Sequence, residues 1–222
     1  MFIALAYKEW LKTRWFLFGS LVIGLGVILT VLLKLGAFFE FNDASSFWNY
    51  VVFKEYLYYG NFKFVPLVIG LLIAGAQFVP EFSSYRLKLT LHLPVKENLL
   101  LFYMVGYGTF FLIILDLLFM FLLITISAYY FPSEIVWSMI LTVIPWMLAG
   151  LGAYFFTSAA LIEPLWPRRV LLALFGYGFV SQLLYSMGYL AYVKSLPVFA
   201  ALVALQFTLI FLSGFRFKRG AR

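Results

Sequence analysis

The chain has 222 residues, of which 65% are hydrophobic and 11% are charged, and its formal net charge is +7. So few polar side chains cannot cover the surface of a soluble globule of this length, which excludes a soluble globular protein. The absence of cysteine also excludes disulfides and thiolate metal sites. The composition therefore predicts an integral membrane protein.

Six apolar runs approach the length of roughly 20 residues that crosses a bilayer as a helix. They are Trp15–Leu33, Phe62–Val79, Leu99–Ile126, Ile135–Ile162, Val170–Val193 and Leu196–Phe215. Continuous runs favour helices, because a transmembrane β-barrel would show short alternating segments. The predicted fold is all-α, a polytopic bundle of six transmembrane helices that forms a single domain over residues 1–222.

The N-terminal residues 1–14 precede the first predicted span. They place Trp10 on one side of a helix and Lys8, Glu9 and Lys12 on another. This pattern predicts an amphipathic helix that lies in the membrane interface. The alternative is a helical extension of the first span that carries a basic flank.

The connection from Phe39 to Asn61 is rich in aromatic side chains, which predicts an aromatic belt at the outer membrane surface. Its aromatic residues include Phe47, Trp48, Tyr50, Phe53, Tyr56, Tyr58 and Tyr59.

A basic and polar segment, Pro80–Asn98, separates the second apolar run from the third. If it is helical, Leu87 and Leu91 share one face and Arg86 lies on the neighbouring face. A short amphipathic helix of this kind would present its face to a cytosolic partner. The alternative is a basic loop that only fixes orientation, but such a loop needs fewer residues than this segment has.

The distribution of basic residues predicts the orientation of the chain. With the N-terminus inside, twelve of the 16 lysine and arginine residues lie on the cytoplasmic side. Both termini are basic, which requires an even number of crossings. We expect a multi-pass protein of the cell (inner) membrane with both termini cytoplasmic, attracted to anionic lipid or a cytosolic partner and not to nucleic acid.

Asp116 is the one acid deep inside an apolar run. A carboxylate in the membrane is expensive to bury, so it is a candidate functional residue. The alternative is a structural hydrogen bond to Gln77, Gln182 or Gln206 on another helix. The sequence favours neither interpretation.

The sequence lacks the motifs that catalysis or nucleotide binding would need. It has no GxxxxGK[ST] phosphate loop and no HExxH, and its one histidine is His92 in the polar segment. A histidine-rich metal site and a Ser-His-Asp triad within the membrane are therefore excluded. We expect no enzymatic activity, no metal site and no cofactor on this chain.

The six spans, the N-terminal helix and the polar segment together resemble the permease subunits of type-2 ATP-binding-cassette (ABC) transporters. In those permeases the cytoplasmic connection after the second span has an acidic residue, an arginine, leucines, Leu-Pro-Val and a basic residue. The matching residues here are Glu81, Arg86, Leu87, Leu89, Leu91, Leu93, Pro94, Val95 and Lys96.

That resemblance implies that residues 81–98 form a coupling helix, seated on a separate ATPase subunit that binds ATP and magnesium. The implied coupling residues are Glu81, Arg86, Leu87, Lys88, Leu91, Pro94 and Lys96. It also implies a dimer, with a second copy or a paralogue of this permease, and export of a lipid-like or amphipathic molecule.

Two other functions remain open at this point. The chain could be an ATP-independent transporter or channel in which Asp116 carries a proton or cation. It could also be a membrane scaffold protein that transports nothing.

Overall fold

The computed structural model describes residues 2–41, 51, 56–83, 97–185 and 190–219. Every regular element in these residues is a helix, which confirms the all-α prediction for the described part of the chain. The elements are α1 (Phe2–Phe41), a 3-10 helix (Gly60–Lys63), α2 (Phe64–Ser83), α3 (Glu97–Tyr130), α4 (Ser133–Ile162), α5 (Trp166–Leu184) and α6 (Leu196–Arg219).

Five of these helices, α1, α2, α3, α4 and α6, are long and apolar enough to cross a membrane, as expected of a polytopic membrane protein. The remaining helix, α5, carries Arg168 and Arg169 in its first turn. Its apolar part, Val170 to Leu184, extends about 22 Å, which is less than the roughly 30 Å of a hydrocarbon core. The predicted fifth span also included residues 186–189, which lie outside the described residues, so a sixth span stays a prediction.

The centre of the bundle is α4, which packs against α2, α3, α5 and α6. Its buried face includes the small residues Ala149, Gly150 and Ala153. Small side chains let helix backbones approach closely in membranes. A Cβ atom at Gly70 of α2 would overlap the carbonyl of Gly150, so these two backbones touch.

The N-terminal residues do not form a separate interfacial helix. They are the first turns of α1, which runs from Phe2 to Phe41 without a break. The alternative, a helical extension of the first span, is therefore the correct one. The physical reason is that Glu9 and Thr13 are buried against neighbouring helices, while Trp10 is 43% exposed.

Two of the aromatic residues predicted for the outer belt lie in the core. Tyr58 and Tyr59 are buried, whereas Tyr56 is exposed. Tyr58 stacks on Phe131 at 5.0 Å and donates a 2.8 Å hydrogen bond to Ser127. Burial raises the pKa of the Tyr58 hydroxyl to about 12, against the lowering effect of that hydrogen bond. The other belt residues, Phe47, Trp48, Tyr50 and Phe53, lie outside the described residues.

Candidate functional site

The first turns of α1 and the last turn of α2 are joined by ion pairs between buried acids and lysines. Lys12 Nζ lies 2.6 Å from Glu9 Oε1 and 3.0 Å from Glu81 Oε1, and Lys8 Nζ lies 2.7 Å from the same Glu81 oxygen. The carboxylates of Glu9 and Glu81 are 2% and 1% exposed. Two carboxylates thus face two ammonium groups, and each buried charge is compensated.

Gln77 extends this arrangement to the other helices. Its Nε2 donates to Glu9 Oε2 at 3.2 Å and to the carbonyl of Met104 at 3.0 Å, while its Oε1 accepts a 2.7 Å hydrogen bond from Tyr154. Both donors and the acceptor of the amide are therefore used. We call Lys8, Glu9, Lys12, Gln77 and Glu81 the Glu9–Glu81 cluster; through Gln77 it links α1, α2, α3 and α4.

A glycine on α3 leaves the space that this cluster needs. A Cβ atom at Gly108 would overlap both Gln77 Oε1 and the Tyr154 hydroxyl. Neither Gly108 nor Tyr154 was predicted as a site residue. In the sequence these residues are marked only as a polar side chain and a glycine within otherwise apolar runs. Such residues are too common in membrane helices to identify a site.

The cluster ends where the predicted coupling segment begins. Glu81 lies in the last turn of α2, which ends at Ser83. The other predicted coupling residues, Arg86, Leu87, Lys88, Leu91, Pro94 and Lys96, lie outside the described residues. The chain is described again from Glu97, the first residue of α3.

A third buried carboxylate, Glu163, lies at the same end of the bundle as the cluster. Its Oε2 accepts a 3.0 Å hydrogen bond from Ser213 and lies 3.5 Å from Arg216 Nη1 on α6. The Glu163 carbonyl accepts a 2.9 Å hydrogen bond from Arg169 Nη2 on α5. Glu163, which lies in the connection between α4 and α5, therefore links this connection to α6. We call this end, which carries Lys8, Lys12, Arg168, Arg169 and Arg216, the basic end.

Asp116 differs from these acids, because it is 4% exposed and the described residues give its oxygens no hydrogen bond. Gln77, one of its three predicted partners, binds Glu9, Met104 and Tyr154 instead. Met104 and Asp116 are about 18 Å apart along α3, so Gln77 cannot reach the acid.

The other two predicted partners also lie elsewhere. Gln206 on α6 lies beside Gly152 of α4. Gln182 is exposed on α5, and its carbonyl accepts a 2.6 Å hydrogen bond from Tyr192. In the described part of the chain, the alternative in which Asp116 forms a hydrogen bond with a glutamine is therefore wrong.

Metal ligands do not converge anywhere in the described residues, which hold no group of three or more His, Cys, Asp or Glu side chains able to bind an ion. His92 lies in the segment between α2 and α3 that is not described.

The chain matches no protein-family model, no curated protein and no solved structure. The resemblance to type-2 ABC permeases therefore depends on the sequence itself, chiefly on Glu81 to Lys96.

Proposed function

We propose that this chain is the membrane-spanning permease subunit of an ABC transporter, driven by a separate ATPase subunit. The observation that carries the proposal is the position of Glu81. It is the first residue of the predicted coupling segment, and both Lys8 and Lys12 of α1 bind it. A movement imposed on that segment would therefore act on two helices at once.

The path of such a movement follows the polar contacts of the Glu9–Glu81 cluster. Coupling between distant sites is carried by packed helices and by hydrogen-bond and ion-pair networks that have alternative arrangements. Here Glu81 connects to Lys12, Lys12 to Glu9, and Glu9 through Gln77 to Tyr154 on the central helix α4. The ATPase would push on α2, and α1, α3 and α4 would respond together.

In this proposal α5 is the sixth span and the protein lies in the cell (inner) membrane. Both termini and the basic end face the cytosol. Two permease subunits, identical or paralogous, enclose the path and pair with two ATPase subunits that bind ATP and magnesium. The exported molecule is lipid-like or amphipathic. The chain itself performs no chemistry.

The test is co-expression of the chain with the P-loop ATPase encoded in a neighbouring reading frame. We expect the two to copurify, and we expect the permease to raise ATP hydrolysis in proteoliposomes. Arg86→Ala should lower that stimulation at least tenfold, because the coupling segment would lose a contact with the ATPase. Glu81→Gln should lower it as much, because the segment would lose its ion pairs with α1.

The matched control is Glu134→Gln, which removes an exposed carboxylate from the opposite end of α4. It should leave stimulation unchanged. Failure of every candidate ATPase to form a complex, together with unchanged transport in Arg86→Ala and Glu81→Gln, would contradict the proposal.

One observation favours a second function, an ATP-independent transporter that uses Asp116. A buried carboxylate with no hydrogen bond from the described residues is a place where a proton or cation could bind. In that case Asp116→Asn abolishes flux while Glu81→Gln and Arg86→Ala leave flux intact. The permease proposal expects the opposite pattern.

A further inference from the structure

Two open apolar grooves flank α5, because its extensive contacts among the described helices are with α4 alone. The contact uses glycines: a Cβ at Gly176 would meet Phe156 at 2.8 Å, and one at Gly152 would meet Phe179 at 3.0 Å. On one side the space between α2, α4 and α5 has a volume of about 610 Å³. On the other side the space between α4, α5 and α6 measures about 740 Å³.

The first space, which we call the Arg169 groove, is apolar along its length and has a positive charge at one end. Leu67, Leu71, Ala153, Ala173 and Val180 line its walls, and Arg169 lines it at the basic end. No acidic residue is among the described residues that line it.

The indole of Trp166 helps to place this charge. The Arg169 guanidinium lies over the Trp166 ring, 5.4 Å from its centre, and Arg169 also donates to the Glu163 carbonyl. A stacked guanidinium keeps its planar fork in a fixed orientation. The charge is thus held at the mouth of the groove.

The second space, which we call the Gln206 groove, has no charged residue among the described residues that line it. Its polar side chains are Gln206 and Thr208. The two grooves therefore share α5 and an apolar lining but differ in charge, which makes the Gln206 groove an internal control.

We propose that the Arg169 groove binds one anionic phospholipid, with an acyl chain along α2, α4 and α5 and the phosphate at the Arg169 guanidinium. From Arg169 to Tyr185 the groove follows α5 for about 24 Å, more than the roughly 15 Å depth of one leaflet. Arginine binds phosphate through two parallel hydrogen bonds, and basic pockets between membrane helices select anionic head groups. The lipid is a bound component of the protein, so this proposal does not depend on the proposed transport function.

The experiment is native mass spectrometry of the full chain, purified in detergent with equal amounts of phosphatidylglycerol and phosphatidylcholine of the same acyl chains. We expect the anionic lipid to be retained about tenfold more than the zwitterionic one, as a charge-assisted hydrogen bond implies. Arg169→Gln should abolish this preference. Arg169→Lys, which keeps the charge, should retain part of it.

Two phenylalanine variants on α5 distinguish lipid binding in the Arg169 groove from lipid binding elsewhere on the surface of this helix. Ala173→Phe fills the Arg169 groove and should lower phosphatidylglycerol retention about tenfold. Gly178→Phe projects into the Gln206 groove, where a Cβ meets nothing within 4 Å, and should leave that retention unchanged. Equal retention of the two lipids by the unmodified chain, or an equal effect of the two phenylalanine variants, would overturn the proposal.

A second copy of this chain is the competing occupant of the groove. Because the chain has no cysteine, Ala173→Cys introduces a single thiol. Disulfide-linked dimers of this variant in phosphatidylglycerol vesicles would show that another protein covers the groove, and would also overturn the proposal. We expect Ala173→Cys to remain monomeric on non-reducing gels while Arg169 still selects the anionic lipid.

Discussion

The Glu9–Glu81 cluster and Asp116 both bury carboxylates in an apolar bundle, but the groups around these carboxylates differ. In the cluster, two carboxylates meet two lysines and an amide whose own groups are all bonded. At Asp116 the described residues supply no hydrogen bond. Equal burial therefore has opposite consequences, because the first site depends on its partners and the second would tolerate loss of its charge.

This difference follows from the cost of desolvation. Removing one member of a compensated buried pair leaves the other charge without its partner, which is strongly destabilising. Replacing a buried polar group that has no partner by an apolar one removes a cost instead. Stability measurements on matched variants of the two sites therefore test this difference directly.

The largest effect is expected from Gly108→Ala. The added Cβ would displace Gln77 and Tyr154, so that several buried polar groups lose their hydrogen bonds at once. We expect a loss of about 2–4 kcal/mol in the free energy of unfolding, measured by thermal unfolding in detergent. The control is Gly106→Ala on the same helix, whose Cβ meets nothing within 4 Å and should stabilise α3 by up to about 1 kcal/mol.

The next effect compares the two sites directly. Glu9→Leu should cost about 2–3 kcal/mol, because Lys12 and Gln77 lose a buried partner. Asp116→Leu, which keeps the number and branching of side-chain heavy atoms, should raise stability by about 1–2 kcal/mol. Similar destabilisation by both substitutions would show that Asp116 has a structural partner, as Glu9 does.

A smaller effect should distinguish the two lysines of the cluster. Lys12 is 13% exposed and pairs with both acids, whereas Lys8 is 36% exposed and pairs with Glu81. Lys12→Met should cost about 1–2 kcal/mol and Lys8→Met less than about 0.5 kcal/mol, since exposed pairs are screened by solvent. Double-mutant cycles with Glu81→Gln measure each coupling, and equal couplings would contradict the assigned burial.

The smallest effect concerns Glu163, an intermediate case with a 3.0 Å hydrogen bond from Ser213 and a longer, 3.5 Å ion pair with the half-exposed Arg216. Ser213→Ala should cost about 1 kcal/mol, because Glu163 Oε2 loses its 3.0 Å donor. Ser181→Ala, which removes an exposed hydroxyl bonded within its own helix, should cost close to nothing. Equal shifts in melting temperature would show that the Ser213 contact does not contribute.

The sequence predicted the helices well, because continuous apolar runs leave few alternatives for a backbone in lipid. It placed five long apolar helices close to their observed positions. It was wrong at the N-terminus, since the pattern of Lys8, Glu9 and Lys12 indicates a polar face but does not say whether that face meets water or other helices.

The sequence could not predict the hydrogen-bond partners of buried polar side chains, for a related reason. Gln77 was a sound candidate for an intramembrane hydrogen bond, but its partner depends on the relative height of α2 and α3. That height is set by packing around Gly108, Gly70 and Gly150, where backbone and side chains interlock. Spacing along one helix carries no information about such offsets between helices.

The short apolar part of α5 has a consequence for how the protein is made. A helix that carries two arginines in its first turn gains little free energy from entering lipid alone, since each arginine opposes membrane insertion. Three residues, Glu163–Leu165, connect it to α4, whose glycines and alanines already fit its surface. If α5 is the sixth span, as proposed, we expect the translocon to release α4 and α5 as a hairpin. A chain in which α5 failed to enter the membrane would then leave α6 in the opposite orientation.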